Sequence, residues 1–516
     1  MKNSEWLKNS IIYSVYPQSF NDSNGDGIGD LNGICEKLDY IKSLGANIIW
    51  MNPIFESPFR DAGYDITDFY KIAPRYGSKE DLKKLCGEAK KRGMHIVLDL
   101  VAGHTSLDCK WFQESAKYDK NEYSNRYIWT NSVSDLGDGT FINGYSERDG
   151  AYKKNYYYCQ PALNYGYANP DPKKEWQLPT DHPDCIETQN EILKIMDYWI
   201  DFGVDGFRVD MAFSLVKNDY DCVETIKVWK RLSSEFKKKH PECILIAEWG
   251  QPERSIEGGF DVDYLLQGKM RMYTTLFRHE AGKNDRMDWI GPSYFRKDGL
   301  GDLSLFTNEF CDQLSKIKGK GYMAIMTGSH DISRLSWDRD TDDLKVAHTF
   351  IMTMPAIPLV YYGDEIGMRY IEGMRSVEGA YIRTGSRTPM QWNGEKNYGF
   401  STADKLYIPQ DPSENVPTVA EQEVEEDSLL NHLRFLAKLR REHPALSEDG
   451  GFRVIKTDYP SIYERSCKDE IITVVLNPSD REYSIEVVCK DILATKNTEL
   501  VNGILKIGSR GYFIYK

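Results

Sequence analysis

The sequence predicts an α/β protein whose largest part is a (β/α)8 barrel, with a small domain inserted after the third strand and a C-terminal antiparallel β-sandwich domain. Strand-like apolar runs alternate with helical patterns through most of the 516 residues, which is typical of parallel strands joined by helices. Residues 105–185 break this alternation, and residues 452–516 contain short alternating runs typical of antiparallel strands. The predicted parts are 1–104 and 187–445 for the barrel, 105–186 for the inserted domain, and 446–516 for the C-terminal domain.

The predicted elements follow one another in the order that such a barrel requires. Apolar runs of strand length are followed by patterns with helical periodicity, and the runs amount to about eight units, which is what a closed TIM-type barrel contains. The predicted strands are 11–20, 46–51, 94–101, 206–210, 243–248, 322–328 and 356–362, and the predicted helices include 31–44, 79–92, 224–239 and 343–352.

Composition and charge exclude several classes of protein. A net charge of −14 argues against a nucleic-acid partner, and 41% hydrophobic residues allow a large core. No apolar run reaches membrane-spanning length and no signal-peptide core follows Met1, so we expect neither secretion nor a membrane partner. The ten scattered cysteines, with no CxxC pair, predict reduced thiols in the cytoplasm. The 33 tyrosines suit sugar rings, although a large core also explains them, and the oligomeric state stays open.

Charged residues stand at the ends of four predicted strands. In strand 206–210, Arg208 and Asp210 alternate with apolar residues, so their side chains share one face and the guanidinium favours an ionised carboxylate. Because the carboxyl ends of parallel barrel strands meet at one face, these carboxylates should lie close together. An ionised carboxylate beside a protonated one is the arrangement that retaining glycosidases use. The converging residues are Asp99, His104, Arg208, Asp210, Glu248, His330 and Asp331.

The segment 22–30 carries oxygen-bearing side chains at every second position, as in the first half of an EF-hand-like calcium loop. The glutamate that normally completes such a loop is missing, and Asp30 with the Ile28 carbonyl would close the site instead. The alternative is a metal-free cluster of Asx turns. The predicted ligands of a structural calcium ion are Asp22, Asn24, Asp26, Ile28 and Asp30.

Several motifs resemble those of the α-amylase superfamily of glycoside hydrolases (family 13), closest to the α-glucosidase and oligo-1,6-glucosidase group. They extend from residue 11 to the C-terminal β domain, so the resemblance covers nearly the whole chain. The segments that carry it are 27–34, 99–104, 206–210, Glu248, 330–331, 357–365 and 387–392.

The resemblance implies a role for each carboxylate. Asp210 would be the nucleophile that forms a covalent glucosyl enzyme, Glu248 the general acid and then the general base, and Asp331 a ligand of sugar hydroxyls in the transition state. Arg208 would keep Asp210 ionised. The partly apolar residues before Glu248 would raise its pKa, so that it stays protonated near neutral pH.

The resemblance also implies the residues that bind the substrate. Tyr64 would stack on the first glucose, and His104 and His330 would bond its hydroxyls. Asp61 would form an ion pair that closes the pocket beyond that glucose, with Arg387 as our first choice of partner and Arg383 as the alternative. A pocket closed in this way predicts cleavage from the non-reducing end.

The departures from the family pattern lie around the predicted pocket. Gly103 stands where the family usually has Asn, Ala162 where it has Asp, and Ser329 where it has Asn. Met211, after the predicted nucleophile, matches neither the residue common among α-1,6 cleavers nor those common among α-1,4 cleavers. The reaction class is therefore better specified than the linkage.

The sequence analysis leads to a retaining exo-α-glucosidase that acts on short α-glucosides. A transglycosylase or isomerase similar to trehalose synthase or sucrose isomerase uses the same covalent intermediate and stays the alternative. A non-enzymatic transporter-associated ectodomain also resembles this fold, but it would need a membrane helix and typically lacks the intact acidic set.

Overall fold

A computed structural model describes residues 5–144, 146–265, 272–277, 292–379 and 383–516 of the chain. The strands, numbered in chain order, are β1 (Ile12–Val15), β2 (Ile48–Met51), β3 (Phe55–Glu56), β4 (Asp68–Ile72), β5 (His95–Leu100), β6 (Phe141–Ile142), β7 (Tyr152–Lys153), β8 (Gly206–Val209), β9 (Ile244–Ala247), β10 (Val262–Tyr264), β11 (Tyr322–Met326), β12 (Ile357–Tyr361), β13 (Gly451–Lys456), β14 (Ser461–Cys467), β15 (Glu470–Asn477), β16 (Tyr483–Glu486), β17 (Ile492–Val501) and β18 (Ile504–Tyr515).

Eight parallel strands close into a barrel in the order β1-β12-β11-β10-β9-β8-β5-β2. Every residue of β1, β2, β8, β9 and β12 is buried, because the surrounding helices cover the outside of the barrel and side chains fill its inside. The predicted (β/α)8 barrel is confirmed.

The helices begin at the side-chain caps that the sequence supplies. Ser78 and Asp81 form a capping box at the start of α3, and Asp340 and Asp343 form another at the start of α10. The predicted helix 31–44 is two short helices, because the backbone of Lys37 leaves helical geometry. The helices are α1 (Leu31–Glu36), α2 (Leu38–Ser43), α3 (Lys79–Lys91), α4 (Lys110–Ser115), α5 (Pro183–Ile200), α6 (Val223–Lys239), α7 (Pro252–Glu257), α8 (Met272–Phe277), α9 (Ser304–Ile317), α10 (Thr341–Thr353), α11 (Val419–Val424) and α12 (Leu429–Glu442).

The sixth barrel strand, β10, is the one that the sequence analysis did not locate. It has only three residues, with Asp261 before it and Asp263 within it, and this acidic pattern is more typical of a turn. The structure buries both carboxylates and satisfies them: Lys237 donates to Asp261, and the backbone N–H of Gly250 donates to Asp263 at 3.0 Å. Burial raises the pKa of Asp263 to about 7.

Two further parts surround the barrel. Between β5 and α5 the described chain is mostly irregular and contains α4 and the small sheet of β6 and β7. At the C-terminus, β13 to β18 form one antiparallel sheet, in which the long β18 pairs with β15, β16 and β17. The antiparallel C-terminal domain is confirmed, whereas the exact division of the chain into domains stays a prediction. No helix in the described ranges is long and apolar enough to cross a membrane.

Candidate active site

The carboxyl ends of the barrel strands bring the predicted carboxylates to one cavity. Asp210 follows β8 directly, Glu248 follows β9, and Asp331 lies after β11. The cavity has a volume of about 240 Å³, which is below the ~300–1,000 Å³ of most sites for drug-sized ligands. It is lined by Asp61, Tyr64, His104, Tyr156, Gln160, Asp210, Met211, Phe213, Glu248, Asp331, Ile332 and Arg383.

Arg208 lies fully buried beside the cavity and bonds three carboxylates. It donates to Asp99, to Asp210 Oδ1 at 3.2 Å and to Glu248 Oε2 at 2.6 Å. The neighbouring positions of Arg208 and Asp210 are as predicted, but the contacts with Asp99 and Glu248 come only from the fold. One positive charge cannot neutralise three carboxylates, so the group is expected to retain a proton.

Burial and neighbouring charges shift the pKa values of two of these carboxyl groups. Burial raises the pKa of Asp210 well above its ordinary value, and the nearby Glu248 raises it further against the opposing effect of Arg208. Burial also raises the pKa of Asp99 to about 6. Arg208 acts to lower the pKa of Asp210, as expected, but its guanidinium is shared among three carboxylates. That Arg208 keeps Asp210 ionised stays a prediction.

Asp331 is more exposed and is held by two arginines. Its side chain is 33% exposed, against 10% for Asp210, and both Arg383 and Arg387 donate to its Oδ1. The His330 Nε2 lies 3.2 Å from Oδ2. Burial acts to raise the pKa of Asp331, but His330 and the two guanidinium groups lower it well below the ordinary value. Asp331 is therefore ionised near neutral pH.

Asp61 forms an ion pair with Arg383 at 2.6 Å, and Arg383 also donates to Asp331. Our first choice of partner for Asp61, Arg387, was wrong. The Arg387 Nε donates to the carbonyl of His330 at 2.8 Å, and its Nη2 reaches Asp331 at 3.3 Å. The short 3-10 turn between the two arginines separates them, so that only Arg383 reaches Asp61. The alternative named from the sequence is the observed partner.

Tyr64 lines the cavity and lies parallel to His330, with ring centroids 5.4 Å apart. The Tyr64 hydroxyl donates to Asp99 at 3.0 Å and accepts from Asn52 at 2.9 Å. The amide of Asn52 also lies 3.1 Å from His330 Nδ1, and burial lowers the pKa of His330 to about 3. His330 is therefore neutral and stacks on Tyr64.

His104 also lines the cavity, but both of its ring nitrogens already have protein partners. Nε2 lies 3.1 Å from the Tyr64 carbonyl oxygen, and Nδ1 lies 3.0 Å from the amide nitrogen of Asn155. Burial lowers the pKa of His104 to about 4. A bond from His104 to a sugar hydroxyl would have to share or replace one of these contacts.

The backbone after the predicted nucleophile is strained. Met211 has φ 41° and ψ 45°, in the left-handed region that disfavours residues with a Cβ. In this conformation its N–H donates to Glu248 Oε2 at 2.9 Å. The strained residue therefore orients the carboxyl group that would supply the proton.

This strain predicts an unusual order of stability for two Met211 variants. Met211→Gly is expected to be more stable than Met211→Ala by about 1 kcal/mol, because both remove the side chain but only glycine adopts this φ without a Cβ clash. Thermal melting of the two variants side by side measures the difference. Equal midpoints, or a higher midpoint for Met211→Ala, would contradict a strained backbone.

Four cavity residues received no role from the sequence. Gln160 donates its amide to Asp61 Oδ2 at 2.8 Å, and Tyr156, Phe213 and Ile332 supply apolar surface. Tyr156 is 36% exposed and Phe213 41%, which is unusual for side chains of this size. The high tyrosine content of the inserted region was a sequence signal for Tyr156, whereas Phe213 and Ile332 lie outside that region.

The segment predicted to hold calcium is folded by its own side chains. Asp22 Oδ2 accepts from the Gly27 N–H at 2.7 Å, Asn24 and Asp26 each accept from the N–H two residues further on, and Asp30 caps α1. Over the described ranges, no group of three or more acidic, histidine or cysteine side chains is arranged to hold a metal ion. These hydrogen bonds match the Asx-turn alternative directly. The side chains of this segment offer oxygen atoms, the ligand type that calcium prefers, so calcium binding stays a prediction.

Comparisons with known proteins agree with this geometry. The family model for the alpha amylase catalytic domain matches residues 14–449. The chain is 30% identical to an oligo-1,6-glucosidase of Heyndrickxia coagulans, over 94% of each chain. It is also 30% identical to a trehalose synthase/amylase of Mycolicibacterium smegmatis, over 89% of this chain and 80% of that protein.

A solved structure extends the comparison to the whole fold. The isomaltulose synthase of Protaminobacter rubrum superposes with a TM-score of 0.83 and 25% identity, over 99% of both chains. The barrel, the carboxylates at its strand ends and the match of the family model lead to one conclusion. The chain belongs to the α-amylase family of glycoside hydrolases, and its relatives include the oligo-1,6-glucosidases.

Proposed function

We propose that the protein is a retaining exo-α-glucosidase that hydrolyses short α-glucosides from the non-reducing end. The observation that carries this proposal is the Asp61–Arg383 ion pair in the wall of a cavity of about 240 Å³ that also holds the three carboxylates. A small cavity with such a wall suits one terminal glucose better than the middle of a polysaccharide. The oligo-1,6-glucosidase relative supports the same substrate class.

In the proposed reaction, Asp210 attacks the anomeric carbon while Glu248 gives its proton to the glycosidic oxygen, and the bond to the leaving sugar breaks. Water then attacks the glucosyl ester of Asp210, loses a proton to Glu248 and releases glucose with its α configuration retained. Arg208 orients both carboxyl groups, and ionised Asp331 would bind sugar hydroxyls.

The test is a product analysis with maltose, isomaltose, sucrose, trehalose and starch. Free glucose from at least one disaccharide, with little action on starch, is expected, and NMR of the first product should show α-glucose. Rapid internal cleavage of starch, or β-glucose as the first product, would overturn the proposal. The same panel reveals the preferred linkage.

A transglycosylase or isomerase is the second candidate. Met211, Phe213, Tyr156 and Ile332 form an apolar part of the cavity wall, which would disfavour attack by water and hold a second sugar. The trehalose synthase and isomaltulose synthase among the similar proteins support it too. A new disaccharide isomer in excess of free glucose would decide for this candidate.

Removal of the guanidinium that pairs with Asp61 should weaken the binding of a terminal glucose. Arg383→Ala is expected to lower kcat/KM for the preferred disaccharide about 10–100-fold, because charge-assisted hydrogen bonds to Asp61 and Asp331 are lost. The ratio of activity on long maltooligosaccharides to activity on disaccharides should rise as the wall opens. Arg375→Ala, an exposed arginine of the same segment, is the matched control. An unchanged ratio would mean that the ion pair does not set the exo preference.

Calcium binding by the segment 22–30 can be tested through stability. Calcium chloride is expected to raise the melting temperature and EGTA to reverse the change, because a ligand at 100 times its Kd stabilises the folded state by about 2.7 kcal/mol. Asp26→Ala should abolish this calcium dependence, while Asp404→Ala, which removes a fully exposed acid, should keep it. A melting temperature that does not respond to calcium would favour the Asx-turn alternative.

We further propose that the protein works in the cytoplasm. All ten cysteines are free thiols, which suits a reducing compartment. Alkylation at the moment of cell lysis, followed by mass spectrometry, should label all ten once the chain is denatured.

A further inference from the structure

The side chain of Asn155, from the inserted region, occupies the space beside His104 that the missing side chain of Gly103 leaves open. Gly103 has no side chain, and a Cβ at this position would lie 3.0 Å from the amide nitrogen of Asn155 and 3.4 Å from the Ser214 hydroxyl. The amide of Asn155 therefore occupies the volume that a side chain at position 103 would take. Asn155 reaches this place from a different part of the chain, more than fifty residues away.

The hydrogen bonds of Asn155 define which way its amide points. Lys217 Nζ donates to Asn155 Oδ1 at 3.1 Å and to the Ser214 carbonyl at 2.6 Å. Burial lowers the pKa of Lys217 to about 7. In its protonated form the lysine can only donate, so the amide oxygen then faces Lys217 and the amide nitrogen faces His104. The Asn155 nitrogen then donates to His104 Nδ1 at 3.0 Å.

This orientation determines the tautomer of His104. Nδ1 accepts a hydrogen bond, so the proton of the neutral ring lies on Nε2, which donates to the Tyr64 carbonyl at 3.1 Å. Burial lowers the pKa of His104, and Lys217 lowers it further against the opposing effect of Asp61. The neutral His104 ring therefore links the inserted region to the main chain of Tyr64 through two hydrogen bonds.

The turn that carries Asn155 also reaches Asp61. Asn155 N–H donates to the Gln160 carbonyl at 2.8 Å, and the Gln160 side chain donates to Asp61 Oδ2 at 2.8 Å. The two amides of this turn thus contact His104 and Asp61, which line the cavity together with Tyr64. The backbone of Lys217 is itself paired with the inserted region through Gly166 and Ala168.

We propose that Asn155, hydrogen-bonded to Lys217, is a positioning residue that keeps His104 in the Nε2–H tautomer. In this tautomer His104 donates to the Tyr64 carbonyl and so fixes the position of Tyr64 in the cavity wall. This inference rests on the proposed function for its kinetic consequence only. The tautomer and the place of the amide can be measured whether or not the protein cleaves a glucoside.

The kinetic test removes the side-chain amide from position 155 and then introduces one at position 103. Asn155→Ala is expected to lower kcat/KM for the preferred disaccharide about tenfold, because it leaves the buried His104 Nδ1 without a partner and removes one of the two acceptors of Lys217. The double variant Gly103→Asn/Asn155→Ala places an amide in the same volume from the other side and should recover most of this loss. Asn143→Ala removes an exposed amide from the same inserted region and should have no effect. Equal activity of Asn155→Ala and the unmodified protein, or no recovery in the double variant, would overturn the proposal.

The second measurement does not depend on activity. NMR of the protein with ring-labelled histidine should show His104, assigned among the nine histidines by its loss in His104→Gln, as the Nε2–H tautomer. Asn155→Ala should shift this resonance towards the other tautomer, and the double variant should restore it. Lys217→Met leaves the Asn155 side chain in place but removes the hydrogen bond that orients its amide. This variant should show a mixture of the two His104 tautomers, and it provides the test if Asn155→Ala does not fold. An Nδ1–H tautomer in the unmodified protein would overturn the proposal.

Discussion

Asp210→Asn is expected to lower kcat for the preferred disaccharide by about 10⁴–10⁶-fold, which is the usual cost of removing a nucleophile. Asparagine has nearly the same shape and can still accept a hydrogen bond from Arg208, but it cannot form a glucosyl ester. Initial rates from the chromatography of products measure the loss. Substrate binding should change much less than kcat, because the amide keeps the packing of the site.

Two controls separate the loss of a nucleophile from general damage. Asp221→Asn changes an aspartate whose side chain is 87% exposed and should keep full activity. Asp210→Gly with added azide should recover activity and release β-glucosyl azide, because the small anion attacks from the side that the carboxylate occupied. Activity retained in Asp210→Asn, or an α-glucosyl azide, would remove Asp210 from the role of nucleophile.

Glu248→Gln is expected to slow the cleavage of disaccharides by about 10²–10⁴-fold, the contribution of a positioned general acid. The loss should depend on the leaving group. With α-glucosyl fluoride, whose leaving group needs little protonation, the first step should stay fast, and the slow second step should produce a burst of fluoride. Rapid-quench kinetics with both substrates measure this difference.

The matched control for this variant is Glu253→Gln, a half-exposed glutamate near the same strand that pairs with Lys316 on the outside of the barrel. It should cleave both substrates at the normal rate. If Glu248→Gln slowed the fluoride and the disaccharide equally from the first turnover, Glu248 would be a structural residue and the proton would come from elsewhere.

Much of the site was predictable because it depends on where residues stand along a strand. Side chains alternate along an extended backbone, so Arg208 and Asp210 had to share a face, and parallel strands in a closed barrel had to bring Asp210, Glu248 and Asp331 to one end. The strand β10, which contains Asp263, was not located from the sequence. Its carboxylate is stabilised by backbone groups after β9, and a linear pattern cannot reveal such long-range bonds.

The sequence by itself determined the barrel, because periodicity and local spacing are properties of neighbouring residues. The resemblance of its motifs indicated the family and singled out the three carboxylates. Only the tertiary structure decided that Arg383 rather than Arg387 pairs with Asp61. It also decided how the charge of Arg208 is divided and why the pKa of Asp210 is raised. These outcomes depend on distances and burial among residues far apart in the chain, and electrostatic energies change too steeply with both to be read from spacing alone.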